Sequence, residues 1–238
     1  MIRMSPFSIL FQSHNLVVID KPAGFHVHPP ESKAEKVPRH KIILHQLRDQ
    51  IGCRVYPLHR LDVGTSGVLV FALNPEAASF WGRQFQQLQI EKTYWTVVRG
   101  HLPDVGEIDR PLESDSTGTL VPCQTLFRTL FRMEIPRPVG KRHGSARYSW
   151  LEVRPLTGRF HQIRRHMNRI SHPVIGDAAH GDSHHNRFFR EQLGLPGLCL
   201  RAVNIQLPAE KEGEWIKVSA PRNSKWDQIS ELFQVNQA

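Results

Sequence analysis

Residues 59–67, His-Arg-Leu-Asp-Val-Gly-Thr-Ser-Gly, constrain this chain more than any other stretch. An apolar run, Val55 to Leu58, precedes them, and a second, Gly67 to Leu73, follows at once. Two short apolar runs around a polar, glycine-bearing segment read as strands joined by a loop. That loop sets Arg60 two residues before Asp62. A short acidic residue in a turn commonly does no more than accept hydrogen bonds from nearby backbone amides. In a chain as basic as this one, a lone carboxylate on such a loop also fits chemistry carried out on a nucleic acid.

The charge supports the second reading. Over 238 residues the formal net charge is +9. From Arg128 to Arg169 there are eleven Lys/Arg against two acids, Glu134 and Glu152, so this segment equals the whole excess. A concentrated basic patch favours a polyanionic partner, because each neutralised phosphate releases condensed counterions. RNA or DNA is therefore expected before a small substrate.

Hydrophobic residues at 39% and charged residues at 22% describe a chain that folds into a core, as one domain over residues 1–238. The three cysteines, Cys53, Cys123 and Cys199, are far apart and form no Cys-x-x-Cys pair. Neither a disulfide framework nor a zinc ribbon is indicated, and reduced thiols of a cytoplasmic protein are expected. No apolar run approaches the roughly 20 residues that span a bilayer, so no membrane association is expected.

Short strands alternate with a few helices along the chain. Ile9–Phe11 and Leu16–Ile19 read as a strand pair, and Ile42–Ile51 as a short helix. Asn74-Pro75-Glu76 opens a helix with a capping Asn, Pro at the first position and an early acid. This helix should reach about Gln89 and bury Ala78, Trp81, Phe85 and Leu88. Lys92–Arg99 alternates as a strand, and residues 100–119 read as connection. Thr125–Ile135 and Arg147–Pro155 read as a long hairpin with a basic tip that carries Arg137, Lys141 and Arg142. A helix is expected over Arg159–Ile170, with Ile163, Met167 and Ile170 buried, Arg164 beside them, and Arg165 and Arg169 towards solvent. Asn186–Leu193 reads as a further short helix, and Leu198–Leu207 and Trp215–Val218 as closing strands. The class this implies is α+β, with a mainly antiparallel mixed sheet flanked by helices.

Four separated stretches share one resemblance. Asp20-Lys-Pro-Ala-Gly24, the 59–67 loop, Lys92-Thr-Tyr-Trp-Thr-Val-Val-Arg-Gly100 and Leu156-Thr-Gly-Arg-Phe-His-Gln-Ile-Arg-Arg-His166 resemble, in that order, the motifs of the RluA family of pseudouridine synthases. Residues 172–181 and 184–189 resemble its tRNA-directed subgroup, whose substrate is uridine 65 of the acceptor stem. The absence of an S4-type module before Asp20 suits that subgroup.

The resemblance implies a pseudouridine synthase fold and an isomerase that acts on RNA, tRNA above all, as a monomer without cofactor or metal. Other RluA-type targets in rRNA or tRNA stay open. It implies that Asp62 is catalytic, by attack at C1′ or C6 or by proton removal at C2′. It further implies that Arg164 pairs with Asp62, that Tyr94 stacks on the target base, and that Arg60 fills the gap the base leaves. Lys21, Arg137, Lys141, Arg142 and Arg165 are expected to contact RNA, with support of Asp62 as a second role for Lys21. Val63-Gly64 depart from the family, where an Arg and then an acidic or polar residue are expected. A non-catalytic RNA-binding protein on the same fold draws its support from that departure. A metal-dependent nuclease would need clustered acids, which the Asp62 loop lacks. His180, His184 and His185 have only part of a zinc spacing, and phosphate or solvent contact is expected of them instead.

Overall fold

The computed structural model describes residues 7–30, 36–140 and 143–235. Lys141 and Arg142 lie outside these residues. The chain divides into two compact units, one of residues 1–91 and 202–220, the other of residues 92–201 and 221–238.

The first unit opens with β1 (Ser8–Gln12) and β2 (Leu16–Lys21), the expected antiparallel pair. After α1 (Ile43–Ile51), the strands β3 (Tyr56–Pro57) and β4 (Ser66–Ala72) bracket the Asp62 loop as expected. Strand β4 is buried along its whole length, which explains why it reads as a continuous apolar run rather than an alternating one. β2 pairs with it antiparallel, with Lys21 opposite Gly67. That register brings the start of the Asp20–Gly24 motif against the end of the Asp62 loop.

Helix α2 (Pro75–Gln86) starts where the sequence places it. Asn74 Oδ1 accepts from the Ala77 amide at 2.8 Å, with Pro75 in the first turn. It ends earlier than expected. Leu88 takes a left-handed backbone, φ 58°, and is 55% exposed, and Ile90 occupies the buried position instead. The buried face is Ala77 and Trp81, the latter donating from Nε1 to the Pro208 carbonyl at 2.9 Å, while Ala78 and Phe85 are only half-buried.

The second unit contains β5 (Glu91–Arg99), β6 (Val105–Asp109), β7 (Leu112–Glu113), β8 (Leu120–Val121), β9 (Gln124–Ile135) and β10 (Ala146–Pro155). The 9–10 hairpin is the expected one, with a register shift between Trp150 and Leu151. β5 pairs with the other edge of β10, and β6 with β9, both antiparallel. Residues 105–109 were expected to be connection. They form a strand because β9 offers them a free edge, which no local pattern announces.

Helices α3 (Gln162–Arg169) and α4 (Ser183–Gln192) follow. The chain then forms β11 (Leu200–Pro208), β12 (Trp215–Ser219) and α5 (Ser224–Val235). In the first unit β11 lies beside β4 and pairs antiparallel with β12. Helix α5 has no counterpart in the sequence reading. It belongs to the second unit, where Trp226, Ile229 and Phe233 join Tyr148, Trp150, Phe189 and Met133 in the core. The fold is thus α+β with mainly antiparallel pairing.

Gly67 shows what the close packing of β4 demands. It sits at φ 111°, and a Cβ there would stand 1.9 Å from the Ala202 carbonyl oxygen. Gly82, inside α2, has nothing within 4 Å of such a Cβ. The same substitution should therefore act with opposite sign. Gly67→Ala is expected to lower stability by about 3 kcal/mol or more, from overpacking and backbone strain together. Gly82→Ala is expected to raise it by roughly 0.5–1 kcal/mol. Urea midpoints of the two variants check both.

Candidate active site

The Asp62 loop is held by its main chain. The Thr65 amide donates to the Asp62 carbonyl at 3.0 Å, and the Gly24 amide to the Val63 carbonyl at 2.7 Å. Leu61, Thr65 and Ser66 are buried, Asp62 is half-buried and Arg60 is exposed. His59 anchors the other end. Its Nε2 accepts from the Val70 amide at 3.2 Å, and its ring stacks on Phe85 at 5.2 Å. An accepting Nε2 leaves Nδ1 as the protonated nitrogen of a neutral imidazole.

Lys21 lies fully buried, with 0% of its surface exposed. Its Nζ donates to the carbonyls of Pro22 (3.1 Å), Val63 (3.2 Å) and Thr65 (2.7 Å). Three donors meet three acceptors, two of which, Val63 and Thr65, closely follow Asp62 in sequence. Burial pulls the Lys21 pKa down to about 7, and the nearby Asp62 charge works in the opposite direction. Of the two expected roles, RNA contact and support of Asp62, this geometry fits the second: an ammonium sealed under the loop has no surface to offer RNA.

In the second unit, Tyr94 sits on β5, buried, opposite Val153 of β10. Arg164 is buried on α3 and grips Asp177 with a two-pronged pair, Nε to Oδ2 and Nη2 to Oδ1, both at 2.7 Å. Asp177 Oδ1 also accepts from the amides of Ala179 (2.9 Å) and His180 (3.0 Å). Burial pushes the Asp177 carboxyl up. The hydrogen bond from Arg164, the two amides and the Arg164 charge outweigh it and hold the group below the ordinary carboxylate range. The sequence reading assigned Asp177 no role. Its signal was present: an arginine beside a buried helix stripe needs a carboxylate, and Asp177 closes the apolar run Val174-Ile175-Gly176.

Two more residues of the 156–166 motif turn out to be braces. Gln162 accepts through Oε1 from the Thr157 hydroxyl (2.6 Å) and the Arg159 amide (3.0 Å), and donates from Nε2 to the Gln124 carbonyl (2.9 Å) and the Thr125 hydroxyl (3.0 Å). This side chain occupies the turn that was expected to be helix, so α3 starts at Gln162 rather than Arg159. His166 donates from Nε2 to the Arg110 carbonyl at 2.9 Å and meets the Thr125 hydroxyl through Nδ1 at 2.9 Å. Burial lowers its pKa, in keeping with a neutral ring.

Of the remaining expected contacts, Arg137 is exposed and Arg165 and His180 are half-buried, whereas His185, expected to meet phosphate or solvent, is buried against Tyr148 instead. Arg137 places its guanidinium 4.5 Å from the centre of the Phe188 ring. Arg165 donates to the Glu113 carbonyl at 2.9 Å. His180 meets His161 (3.1 Å), and His185 meets the Tyr148 hydroxyl (2.9 Å). Among the described residues no group of three or more His, Cys, Asp or Glu is placed to hold a metal. Asp62, Lys21 and Arg60 thus belong to the first unit, and Tyr94, Arg137, Arg164 and Arg165 to the second.

This arrangement has the fold of the pseudouridylate synthases. The chain superimposes on human RNA pseudouridylate synthase domain containing 1 with a TM-score of 0.72 at 22% identity, covering 98% of this chain and 96% of that one. For human RNA pseudouridylate synthase domain containing 4 the TM-score is 0.70 at 23% identity, with 94% and 92% covered. The family described as RNA pseudouridylate synthase matches residues 15–169, and the chain belongs to that family as an RluA-type member. It is an isomerase that forms pseudouridine in RNA.

Similar proteins include three named tRNA pseudouridine synthase C. That of Haemophilus ducreyi is 39% identical over 235 residues, covering 94% of this chain and 95% of the relative. That of Vibrio vulnificus is 38% identical, with 95% of each covered. That of Pectobacterium carotovorum is 39% identical over 98% of this chain, which spans 64% of that relative's length.

The buried charges generate two tests. Because the Lys21 pKa is lowered on folding, the unfolded chain binds the proton more tightly. Stability relative to a Lys21→Met variant should therefore rise between pH 7 and about 10.5, by a few kcal/mol, and stay level below pH 7. Urea unfolding of both proteins across that range reads the difference. Asp177→Asn keeps the shape but leaves Arg164 charged and underpartnered, and should cost about 3–5 kcal/mol. Thermal denaturation of the variant checks it.

Proposed function

We propose that this enzyme isomerises a uridine of tRNA, with uridine 65 of the acceptor stem as the target, and that Asp62 is the group that acts on the nucleoside. The observation that carries this reading is the Lys21 ammonium sealed beneath the Asp62 loop. A buried cation gripping the carbonyls on the far side of Asp62 fixes the loop's main chain, so its carboxylate is presented in one geometry. The names of the relatives from Haemophilus ducreyi and Vibrio vulnificus support tRNA as the substrate class.

The reaction breaks the N1–C1′ bond, turns the base and rejoins it through C5. A fixed carboxylate serves any of the three routes: addition at C1′, addition at C6, or removal of the C2′ proton. A uridine in a stem must first leave the helix, at a cost of a few kcal/mol. Exposed Arg60, two residues from Asp62, fills the vacated space, and Tyr94 stacks on the extruded base. Arg164, whose pairing with Asp62 is what the resemblance implies, is held within the second unit by Asp177. Arg137, Lys141, Arg142 and Arg165 meet phosphates. Residues 1–238 act together as one catalytic domain, as a monomer in the cytoplasm.

Asp62→Asn keeps size and removes charge. It should fold and bind RNA with wild-type stability while pseudouridine formation falls by at least three orders of magnitude, the scale on which removal of an acting nucleophile or base is felt. Tritium release from C5-labelled uridine in a tRNA transcript measures it, and activity within tenfold of wild type would refute the role of Asp62. Sequencing of pseudouridine in tRNA and rRNA from cells lacking the protein identifies the target. Loss confined to rRNA would overturn the tRNA assignment.

A further inference from the structure

The turn before α3 presents an aromatic ring to solvent. Phe160 is 52% exposed, in a segment otherwise pinned by buried polar groups. Its ring stacks nearly parallel on His161, with centroids 3.7 Å apart and planes at 20°. His161 itself is strained, at φ 50° and ψ 26°, a left-handed conformation that costs a residue with a Cβ about 1–2 kcal/mol. The surroundings over-determine that conformation. Gln162 holds the Arg159 amide, His161 Nδ1 bonds to His180, and the His161 carbonyl accepts from the Arg165 amide at 2.8 Å. Two rings are thus clamped into one outward-facing slab.

Positive charge surrounds it. The guanidinium groups of Arg159, Arg165 and Arg169 lie close enough together to act jointly on the Cys123 thiol. Arg165 donates to the carbonyls of Glu113 and Phe160, Arg169 to that of Pro111, and Arg110 to that of Arg169. A carbonyl fixes an arginine in place without cancelling its charge, whereas a carboxylate would do both. The result is an exposed aromatic ring beside cations that, among the described residues, are held by carbonyls, which is how proteins grip an unstacked nucleobase with its phosphates.

We propose that the Phe160–His161 pair is a stacking platform for an unpaired base of the bound RNA, a contact separate from the target uridine, with Arg165 and Arg159 on the adjoining phosphates. The proposal rests on the RNA-modifying reading above. A base stacked on an aromatic side chain is sequence-tolerant, so the platform contributes affinity and orientation rather than base identity.

Equilibrium binding of the full chain to a tRNA transcript, measured over a range of salt, tests it. Phe160→Ala should weaken binding roughly 5- to 150-fold, the range found for loss of one base–aromatic stack. The slope of log affinity against log salt should not change, because no cation is removed. Phe160→Trp should restore affinity, and the melting temperature of Phe160→Ala should match wild type, since an exposed ring contributes little to the core. Arg165→Ala should instead flatten the slope by about 0.7–0.9. Binding of Phe160→Ala within twofold of wild type, or a loss that Trp does not restore, would overturn the platform. Binding is read without turnover, so the two readings fail separately. Near-wild-type activity of Asp62→Asn bears on the proposed function alone, while unaltered Phe160→Ala binding by an active enzyme bears on the platform alone.

Discussion

The Asp62 loop depends on a lysine that no solvent reaches. An ammonium taken out of water is costly, and burial accordingly draws the Lys21 pKa down to about 7. What offsets it is geometric: three carbonyls, from Pro22, Val63 and Thr65, converge on the three protons of Nζ. The antiparallel register of β2 on β4 brings Lys21 opposite Gly67, next to the end of the loop. A glycine is required there because β11 passes so near that any Cβ would meet the Ala202 carbonyl. Strand pairing, a missing side chain and a buried charge therefore solve one problem jointly, that of holding the Asp62 loop by its main chain.

The second unit solves a similar problem with an ion pair. Arg164 projects from α3 into a buried setting, where a lone guanidinium would be prohibitive. Asp177 meets it in the bidentate geometry that suits arginine rather than lysine, and two backbone amides complete the carboxylate's hydrogen bonding. Gln162 and His166 brace the same helix to β9 through the Thr125 hydroxyl. The spelling of the 156–166 motif thus records two demands at once. Some of its polar residues brace the fold, and others, such as Arg165, are held by carbonyls, which fix the side chain and leave its charge in place.

The elements that were legible in the sequence are those whose cause is local. Asn74-Pro75 caps α2 through a contact three residues away, and the alternation of residues 125–135 and 147–155 needs only the partner across one hairpin. Strand β6 and helix α5 were illegible because their cause is distant. β6 exists by virtue of the edge of β9, and α5 by virtue of Trp150 and Tyr148, some eighty residues earlier. The site divides along the same line. The loop that carries Asp62 was legible between its two strands, but the burial of Lys21 follows from strand register, and the Arg164–Asp177 pair from a return of the chain after α3. A lysine on paper is a surface charge until the fold shows three carbonyls around it.

The departure at Val63-Gly64 can be judged on the same terms. The resemblance leads one to expect an arginine at position 63, and its replacement by valine was the ground for a non-catalytic protein. In the structure the contribution of position 63 to the loop is made by its carbonyl, which accepts from both Lys21 Nζ and the Gly24 amide. Its side chain points to the surface, 39% exposed. Exchange of the side chain leaves both hydrogen bonds in place, because the main chain makes them. The framework that presents Asp62 is thus indifferent to the residue that departs from the family. What valine forgoes is a surface cation, and the main-chain support of the carboxylate is left as it was.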